Sequence, residues 1–492
     1  MSLGLSGKFN VLQQSPHDFM PDPEEVKPDS GAVRWVPSRY NIRATTTDGR
    51  LVLWNSYKGT LSVFGVKQKA GIEALLIRKG FTARPEGAVQ YLFDRGFLVK
   101  EGTDEYRRIQ VGFGHQHYRT DTLQFILLAS EDCNFRCTYC YEDFARGTMK
   151  PWVRTGIKNL VRERLSGLRH LSVSWFGGEP LYGLSAIEDL APFFSETARE
   201  SSLKYSSSMT TNGYLLTPDV AEKLLGWGIR AFQITLDGPA EDHDRSRPTR
   251  DGGGSFATIF ENLKALRGLP QEFRVALRVN FDRRNYPHLG SLLDVVQTEL
   301  EGDPRFQLHF RAVGKWGGPN DAKLDVCGTD EASGIQLDMK AEARKRGLKL
   351  SDDIRQVQGL GAQVCYAARP YNFIIGATGK VMKCTIDLDK LDRNVVGQLT
   401  EAGELNLDED KFALWTEPAF ERDTKCQKCV VLPACQGVYC PQIRMDYHQS
   451  PCTPLRMQVK KELQQTVEAM TSAARTVVVG RHEESGHEPA PA

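Results

Sequence analysis

The sequence predicts an α/β protein with a central parallel sheet, a small strand-and-helix module before it and a cysteine-rich domain after it. Strand-like and helix-like segments alternate six times between residues 124 and 314. Such alternation is typical of a parallel sheet, either open and doubly wound or curved into a partial barrel. Seven of the 11 cysteines fall between Cys365 and Cys452, which marks off the last part.

Composition narrows the class of protein. The chain has 492 residues, 40% of them hydrophobic, and a net charge of +1, which fits a globular protein of two to four domains and argues against a general nucleic-acid binder. Its first residues lack the pattern of a signal peptide and no stretch is long and apolar enough for a membrane span, so we expect a cytoplasmic protein without a membrane partner. Cytoplasmic thiols stay reduced, and clustered ones are therefore candidates for metal ligands.

The N-terminal part divides into two segments. Residues 1–37 are rich in Pro, Asp and Ser and are expected to be flexible. Residues 38–112 contain three short strands broken at TTDG and SYKG, followed by two amphipathic helical segments, KAGIEALLIRKG and PEGAVQYLFDRGFLV. This order predicts a winged-helix-like module.

The central domain is assigned to residues 120–315. Its six strands are LQFILLAS, LSVSWFGG, YSSSMTTN, AFQITLDG, FRVALRVN and FQLHFRAVG. Unusual residues come directly after several of these strands, and the carboxyl ends of parallel strands are where α/β folds carry their active sites. Residues 316–362 are predicted to be a bridging region, 363–456 a cysteine-rich domain, and 457–492 a C-terminal helix with a disordered tail.

The first cysteine cluster has the spacing C-x3-C-x2-C, formed by Cys133, Cys137 and Cys140. Three thiolates can hold three irons of a 4Fe-4S cluster and leave the fourth iron open to a substrate. A structural zinc site would need four ligands in paired spacing, and the loop offers no fourth Cys or His.

This spacing after a strand resembles the signature of the radical S-adenosylmethionine (SAM) enzymes. The resemblance extends to GGEP after the second strand, TTNG after the third and TLDGPAEDHDRSR after the fourth. It implies a partial (β/α)6 barrel in which SAM is bound by Tyr139, Gly177, Gly178, Glu179, Asn212, Thr235 and Arg247, with Thr235 at the ribose and Arg247 at the carboxylate. An alternative for Arg247 is a solvated charge in an arginine-rich loop.

The resemblance also implies a mechanism. A reduced cluster, charged by a donor such as flavodoxin or ferredoxin, passes one electron to SAM bound at the open iron. Cleavage of the carbon–sulfur bond then releases a 5′-deoxyadenosyl radical, which abstracts hydrogen from an unactivated carbon. The protein's contribution is placement of the reactants and exclusion of water.

The second cysteine region resembles the SPASM domain of peptide and protein maturases, which carries two auxiliary 4Fe-4S clusters. A zinc ribbon is the alternative, although seven thiols exceed the needs of one zinc ion. The resemblance implies two ligand sets: Cys426, Cys429, Cys435 and Cys452 for one cluster, and Cys365, Cys384 and Cys440 for the other. Cys327 is a doubtful fourth ligand of the second set, because a lone cysteine is more often a small buried hydrophobe.

The N-terminal module resembles the element that recognises the leaders of ribosomally made peptides by strand addition. We therefore expect a radical SAM enzyme that installs a thioether, C–C or C–O crosslink in a precursor peptide. Sulfatase-maturase-like or other oxidative peptide modification is the alternative, although Thr385 stands where sulfatase maturases place an Asp; a DNA-binding iron-sulfur sensor is a third hypothesis. The candidates for a general base are Asp387, Asp389, Glu142 and Tyr141.

Overall fold

The computed structural model describes residues 9–11, 31–300, 302–351, 359–388, 390–453 and 455–483. Within these ranges no helix combines the length and the apolar character needed to cross a membrane. Asp389, one of the predicted bases, lies outside the described residues.

The N-terminal part contains two small sheets and three helices. Its elements are β1 Phe9–Val11, β2 Val33–Pro37, β3 Asn41–Thr45, β4 Leu51–Asn55, β5 Thr60–Phe64, α1 Val66–Leu76, β6 Phe81–Ala83, α2 Gly87–Asp94, β7 Leu98–Lys100 and α3 Glu105–His117. One sheet has the order β1-β5-β4-β3 and the other β6-β2-β7. The three predicted strands and both predicted helices are present.

Strand β2 corrects the prediction that residues 1–37 are flexible throughout. It pairs with β6 and β7, and Trp35 within it is 1% exposed and donates its indole N–H to the Ala83 carbonyl oxygen (2.9 Å). Burial of one large aromatic side chain outweighs the polar composition around it. The module therefore begins by Val33, and α3 extends it to His117.

The central part is a helix-backed parallel sheet. Its elements are β8 Thr122–Ser130, α4 Pro151–Arg164, β9 His170–Gly177, α5 Leu184–Glu200, β10 Lys204–Thr211, α6 Pro218–Gly226, β11 Ile229–Thr235, α7 Ala240–Ser246, α8 Phe256–Arg267, β12 Arg274–Phe281, α9 Leu289–Glu299, β13 Phe306–Ala312, α10 Thr329–Lys345 and β14 Lys349–Leu350. Strands β8 to β13 are all parallel and lie side by side in chain order. All six predicted strands are therefore confirmed. Sequential order is that of a barrel wall, whereas a doubly wound sheet reverses order at a switch point.

The two faces of this sheet differ in burial. In β9, Leu171, Val173 and Trp175 are fully buried under the helices, whereas Ser172 and Ser174 between them are partly exposed. The same alternation runs through β12 and β13. Parallel sheets usually bury both faces; here the inner face is polar and open, as required of a surface that receives a ligand.

The cysteine-rich part continues the same sheet. Its elements are β15 Asn372–Ile375, β16 Lys380–Met382, α11 Leu391–Asn394, β17 Val395–Leu399, β18 Leu405–Leu407, α12 Glu409–Thr416, α13 Thr424–Gln427, α14 Leu432–Cys435, α15 Pro441–Tyr447 and α16 Leu455–Glu483. Strand β15 pairs in parallel with β8, and β16 to β18 extend the sheet antiparallel. At the other end of the sheet, α10 and β14 occupy part of the predicted bridging region, with Ile335, Ala343 and Leu350 in the main core.

Helix α16, near the C-terminus, packs against both the N-terminal module and the cysteine-rich part. Its buried residues Leu455, Val459, Leu463 and Val467 pack against β3, β4 and β5 and against Val431 and Ala434 of the cysteine-rich part. The N-terminal module also contacts that part directly, since the Ser56 hydroxyl donates to the Val430 carbonyl oxygen (2.5 Å). The module, the last helix and the second cysteine region are therefore packed together.

We predict that Leu463→Ala lowers the free energy of unfolding by about 2–5 kcal/mol, because it leaves a cavity where the side chain is now 0% exposed. Met457→Ala is the matched control on the same helix, since Met457 is 81% exposed and its truncation should change stability by less than about 0.5 kcal/mol. Urea unfolding of both variants measures the difference. Equal losses would contradict the packing of α16.

Candidate active site

The three-cysteine loop follows β8 and is clasped by the loop that follows β11. Backbone N–H groups of Arg136 and Thr138 donate to the carbonyl oxygens of Pro248 and Ser246 (2.9 Å each). In the other direction, the Arg250 N–H donates to the Asn134 carbonyl oxygen (2.7 Å). The cysteine loop is therefore fixed by a segment more than a hundred residues further along the chain.

Burial makes the three thiols reluctant to ionise on their own. Burial is the largest cause of the raised pKa of Cys133 and Cys140, each about 12, and the negative charge of Cys137 contributes to both. Burial also raises the pKa of Cys137. Iron binding would deprotonate all three, as metals do for thiol ligands.

The spacing of the thiols does not suit a single metal ion. Across the described ranges, no three Cys, His, Asp or Glu side chains are close enough to ligate one ion. A tetrahedral zinc site draws its thiolates to about 2.3 Å from one centre. That Cys133, Cys137 and Cys140 hold a 4Fe-4S cluster stays a prediction from their spacing.

Two glycines after β9 allow the second loop to touch the cysteine loop. Gly177 has φ +118°, and a Cβ there would overlap the Ser130 carbonyl oxygen. A Cβ on Gly178 would lie 2.7 Å from the Asp132 carbonyl oxygen and 3.1 Å from the Cys133 Cβ. Gly178 thus lies directly against Cys133, the first predicted ligand, and Gly177 against the strand end that leads into the cysteine loop.

Glu179 joins the ends of β9 and β10. Its carboxylate is 0% exposed and accepts hydrogen bonds from the backbone N–H groups of Leu181 (3.0 Å) and Asn212 (2.7 Å) and from the Thr211 hydroxyl (2.8 Å). Burial raises its pKa although these donors oppose the shift. With both oxygens engaged, the side chain holds the loops in position, and its role toward SAM stays a prediction.

Asn212 lies between the first and third loops. Its amide N–H donates to the Asn134 side-chain oxygen (2.7 Å), and the same nitrogen lies 3.9 Å from the Cys133 sulfur. The predicted SAM contact is therefore adjacent to a predicted iron ligand.

A buried polar network surrounds Tyr139. Its hydroxyl donates to Asp237 and accepts from an Arg247 N–H (2.7 Å) and from the Asn280 amide (3.1 Å). Asp237 also accepts from the Asn280 backbone N–H (3.1 Å). Sequence reasoning missed Asp237 and Asn280, although Asp237 comes two residues after β11 and Asn280 is the penultimate residue of β12; nearness to the end of a strand is the signal that identified the others.

The Arg247 guanidinium has one buried N–H group that no atom of the described residues accepts. Burial alone would lower its pKa, but the charges of Cys137, Tyr139 and Asp237 raise it well above the usual value. Its Nε is buried without a hydrogen-bond partner. A buried, unpaired donor next to a ligand cysteine is what an anionic ligand requires, and this excludes the alternative of a solvated charge. Thr235, 7% exposed, lies nearby at the end of β11.

The structure brings Cys365, Cys384 and Cys440 together. Burial raises the pKa of the Cys365 thiol to about 11 and that of Cys384 to about 12. Negative charge at Cys440 acts on Cys365, and that of Cys365 acts on Cys384. Hydrogen bonds link their segments, from the Cys365 N–H to the Val438 carbonyl oxygen (3.1 Å) and from the Thr385 N–H to the Tyr366 hydroxyl (3.0 Å). That the three thiols ligate one cluster stays a prediction.

Cys426, Cys429, Cys435 and Cys452 form a second group. Burial raises the pKa of Cys426 to about 12 and that of Cys435 to about 11. Charge at Cys429 acts on both thiols, and Cys452 acts on Cys435. Arg456 donates a hydrogen bond to the Cys452 sulfur (2.9 Å), so a cation already compensates this set.

Cys327 lies elsewhere. The charged groups that act on its thiol are Glu331, Arg283, Asp282 and Asp325, and Arg283 pairs with both Glu331 and Asp325 (2.7 and 3.2 Å). Cys327 itself lies between β13 and α10, and these charged groups come from that segment, from α10 and from the loop after β12. Its place as a fourth ligand of the Cys365 set stays a prediction.

The predicted bases differ in availability. Asp387 is 1% exposed, pairs with Arg393 (2.7 Å) and accepts from the Gln442 amide (2.6 Å). These contacts favour a structural role, and its role as a base stays a prediction. Glu142 is partly exposed, and burial followed by the charge of Glu131 raises its pKa to about 8.

Tyr141 connects the two cysteine regions. Burial raises its pKa well above the usual value; the charges of Glu142, Cys140 and, from the second cysteine region, Cys384 also raise it, whereas Arg278 lowers it. Tyr141 is partly exposed, and its role as a base stays a prediction.

Comparison with known proteins agrees with this geometry. The family model of the radical SAM superfamily matches residues 127–285. A cysteine-type anaerobic sulfatase-maturating enzyme from Clostridium novyi (strain NT) is 31% identical over 339 residues, which cover 63% of this chain and 85% of that protein. The radical SAM cyclopropyl synthase TigE from Paramaledivibacter caminithermalis is 25% identical over 202 residues, 36% of this chain and 41% of TigE. The match thus spans less than half the length of TigE.

A solved structure shares the fold. Native anSMEcpe with bound AdoMet and Cp18Cys peptide superimposes with a TM-score of 0.53 and 21% identity, covering 72% of this chain and 99% of that one. At this identity the likeness concerns the fold alone.

We predict that Arg247→Gln weakens SAM binding about tenfold or more, because it removes a charged donor from a buried site. Arg245→Gln is the control: Arg245 is in the same loop but half exposed and paired with Asp242, so its loss should leave the affinity unchanged. Anaerobic equilibrium binding of SAM to both variants at equal iron content provides the measurement. Equal affinities would assign Arg247 a structural role only.

Proposed function

The chain belongs to the radical SAM superfamily, in the family of peptide maturases that includes the anaerobic sulfatase-maturating enzymes, and from this premise we propose that it oxidatively crosslinks a ribosomally made peptide. The observation that carries the proposal is the meeting of three thiols with the unpaired Arg247 donor at the carboxyl ends of the strands. The family implies SAM and a 4Fe-4S cluster.

Cys133, Cys137 and Cys140 would hold the cluster, and Arg247 and Asn212 would orient SAM beside it. Asp237, Tyr139 and Asn280 hold Arg247 in place through their mutual hydrogen bonds. When bound, SAM and its cluster supply a radical that abstracts hydrogen. The protein's part is to present one carbon of the peptide to that site and to exclude water from it.

The two further thiol groups support an oxidative outcome. A crosslink between two peptide groups removes two hydrogen atoms: one leaves as an atom to the radical, and the other leaves as a proton plus an electron. The group of Cys426, Cys429, Cys435 and Cys452 and the group of Cys365, Cys384 and Cys440 have ligand sets for two auxiliary 4Fe-4S clusters, which would accept that electron. We therefore propose that residues 363–456 form a SPASM domain that carries these two clusters. Together with the SAM-binding cluster, the protein would hold three 4Fe-4S clusters.

Among the described candidates, Glu142 fits the role of proton acceptor better than Asp387. Its side chain is partly exposed two residues after Cys140, beside the proposed site of hydrogen abstraction, where a base would be needed. Asp387 is instead held by Arg393 and Gln442.

The N-terminal module is proposed as the leader-binding site. Strands β6 and β7 each pair with β2 alone among the described strands, so each has an edge to which an extended peptide could add. The module is also bonded to the cysteine-rich part through Ser56 and through Arg39, which donates to the Gln427 carbonyl oxygen (2.5 Å). A leader bound there would be tied to the region of the auxiliary thiols.

A second candidate function is oxidation of a Cys or Ser to an aldehyde, as in sulfatase maturation. The 31% identity to the Clostridium novyi enzyme favours it. The residue after Cys384 speaks against it: this position is Thr385, whose hydroxyl contacts the Tyr366 hydroxyl (2.7 Å) and offers no carboxylate. Crosslinking is therefore preferred.

We predict that the anaerobically reconstituted enzyme, given SAM, a reductant and a short ribosomally made precursor peptide from the same genome, yields a peptide lighter by two hydrogens per crosslink. Tandem mass spectrometry should locate the linked residues, and the product should not react with hydroxylamine. Reaction with hydroxylamine would indicate an aldehyde and the second function. An unchanged peptide mass would contradict both.

A pair of cysteine variants sharpens the same experiment. Cys384→Ala should retain SAM cleavage but lose the crosslinked product, because it removes a ligand of the three-thiol group. Cys327→Ala is the matched control and should make product normally, since Cys327 lies among Arg283, Asp325 and Glu331.

A further inference from the structure

Two arginines lie side by side on the open inner face of the sheet. Arg278 is on β12 and Arg311 is on β13, and the register pairs Arg278 with His309 and Asn280 with Arg311. The two arginines are therefore diagonal neighbours on the same face. Arg278 is partly exposed between buried neighbours, and Arg311 is exposed.

Neither arginine has a carboxylate partner. Arg278 donates its Nε–H to the Asn280 side-chain oxygen (2.7 Å). Burial raises the pKa of the Tyr439 hydroxyl, and the positive charge of Arg311 acts on that hydroxyl and lowers its pKa. In the part of the chain that the structure describes, no Asp or Glu forms an ion pair with either. By contrast, Arg146 pairs with Glu131, and Arg250 with Asp132.

The nearest acid in electrostatic terms is already engaged. Asp237 acts on Arg278, but its oxygens accept from Tyr139 and the Asn280 backbone. Burial lowers the pKa of Arg278, and the positive charge of Arg311 lowers it further. Two neighbouring guanidinium groups repel each other, so an anion that bridges them would be bound strongly.

The groups proposed for the cofactors have arginines of their own. Arg247 stands at Cys137 and has the spare donor assigned to the SAM carboxylate, and Arg456 donates to Cys452. Arg278 is linked through the Asn280 side chain to Tyr139 of the cysteine loop (2.7 and 3.1 Å), and Tyr439, on which the charge of Arg311 acts, directly precedes Cys440. The pair thus lies between the cysteine loop and the second cysteine region, where a reacting residue would lie.

We propose that Arg278 and Arg311 form a subsite for an Asp or Glu side chain of the substrate peptide, next to the residue that is oxidised. The planar guanidinium groups would bind the carboxylate through paired hydrogen bonds. This inference rests on the proposed function and adds a substrate class to it: precursor peptides with an acidic residue at a fixed distance from the modified one.

The test uses a display library of the precursor peptide named in the preceding experiment, in which the core is randomised and the leader is kept. Every peptide is joined to its mRNA through its C-terminus. That linkage blocks the terminal carboxylate, so enrichment reports on side chains. Binding to the reconstituted enzyme with SAM should enrich Asp and Glu over Asn and Gln about tenfold at one core position.

Three variants complete the test. The preference should vanish with Arg278→Gln/Arg311→Gln and persist, weakened, with Arg278→Lys/Arg311→Lys, which keeps the charge. Arg274→Gln is the matched control, because Arg274 is an exposed residue at the opposite end of the same strand; it should retain the full preference.

Each other outcome overturns the inference. Capture of leader-bearing peptides without an acidic preference, or a preference that survives the double glutamine variant, would refute the subsite and leave the proposed function standing. Loss of SAM affinity in that variant with an unchanged peptide preference would assign the pair to SAM. Failure of the wild-type enzyme to capture any leader-bearing peptide would refute the proposed function as well.

Discussion

The site depends on the close contact between the cysteine loop and the glycine turn after β9. Gly177 and Gly178 lie so near the carbonyl oxygens of Ser130 and Asp132 that no larger residue fits. That contact carries Glu179 into the interior, where its carboxylate binds the Asn212 backbone, and Asn212 in turn lies against Cys133. Three loops from three strands are therefore fixed by one tight approach of backbone to backbone.

A second constraint is electrostatic. The thiols are buried, and burial opposes their ionisation. They therefore become thiolates only when a positively charged group, such as iron or an arginine, lies beside them. The arginines divide this work: Arg247 stands beside Cys137 and Arg456 beside Cys452. Arg278 and Arg311 are assigned to neither of these cysteine groups, which is why we propose them as the subsite for an acidic side chain of the substrate peptide.

Much of the fold follows from local pattern. The six central strands could be predicted because apolar residues alternate with polar ones or run continuously between helices, and the cysteine spacing identified the site directly. Strand β2 was missed because a five-residue strand in polar surroundings has no periodic signal, and its burial rests on partners 46 and more residues away, such as Ala83. The pairing of β15 with β8 joins residues almost 250 positions apart, which no local pattern contains.

The site was predictable where residues carry distinctive chemistry and unpredictable where geometry alone decides. Cysteines, the GGE turn and Arg247 stood out by type and position. Asn280 and Arg278 did not, because Asn and Arg at a strand end have many ordinary roles, and only the register with β13 places them on the inner face. Cys327 illustrates the converse: a cysteine count could not decide whether it is a ligand, and its surroundings of Arg283, Asp325 and Glu331 were not visible in the sequence.

The most direct test of the account compares the wild-type protein with the variant Cys133→Ala/Cys137→Ala/Cys140→Ala, both reconstituted anaerobically. Iron content and the 5′-deoxyadenosine formed from SAM under reduction are measured for each. The account predicts that the variant loses about four of about twelve irons and all SAM cleavage. A variant that still cleaves SAM would contradict the assignment of this loop as the SAM-binding cluster site.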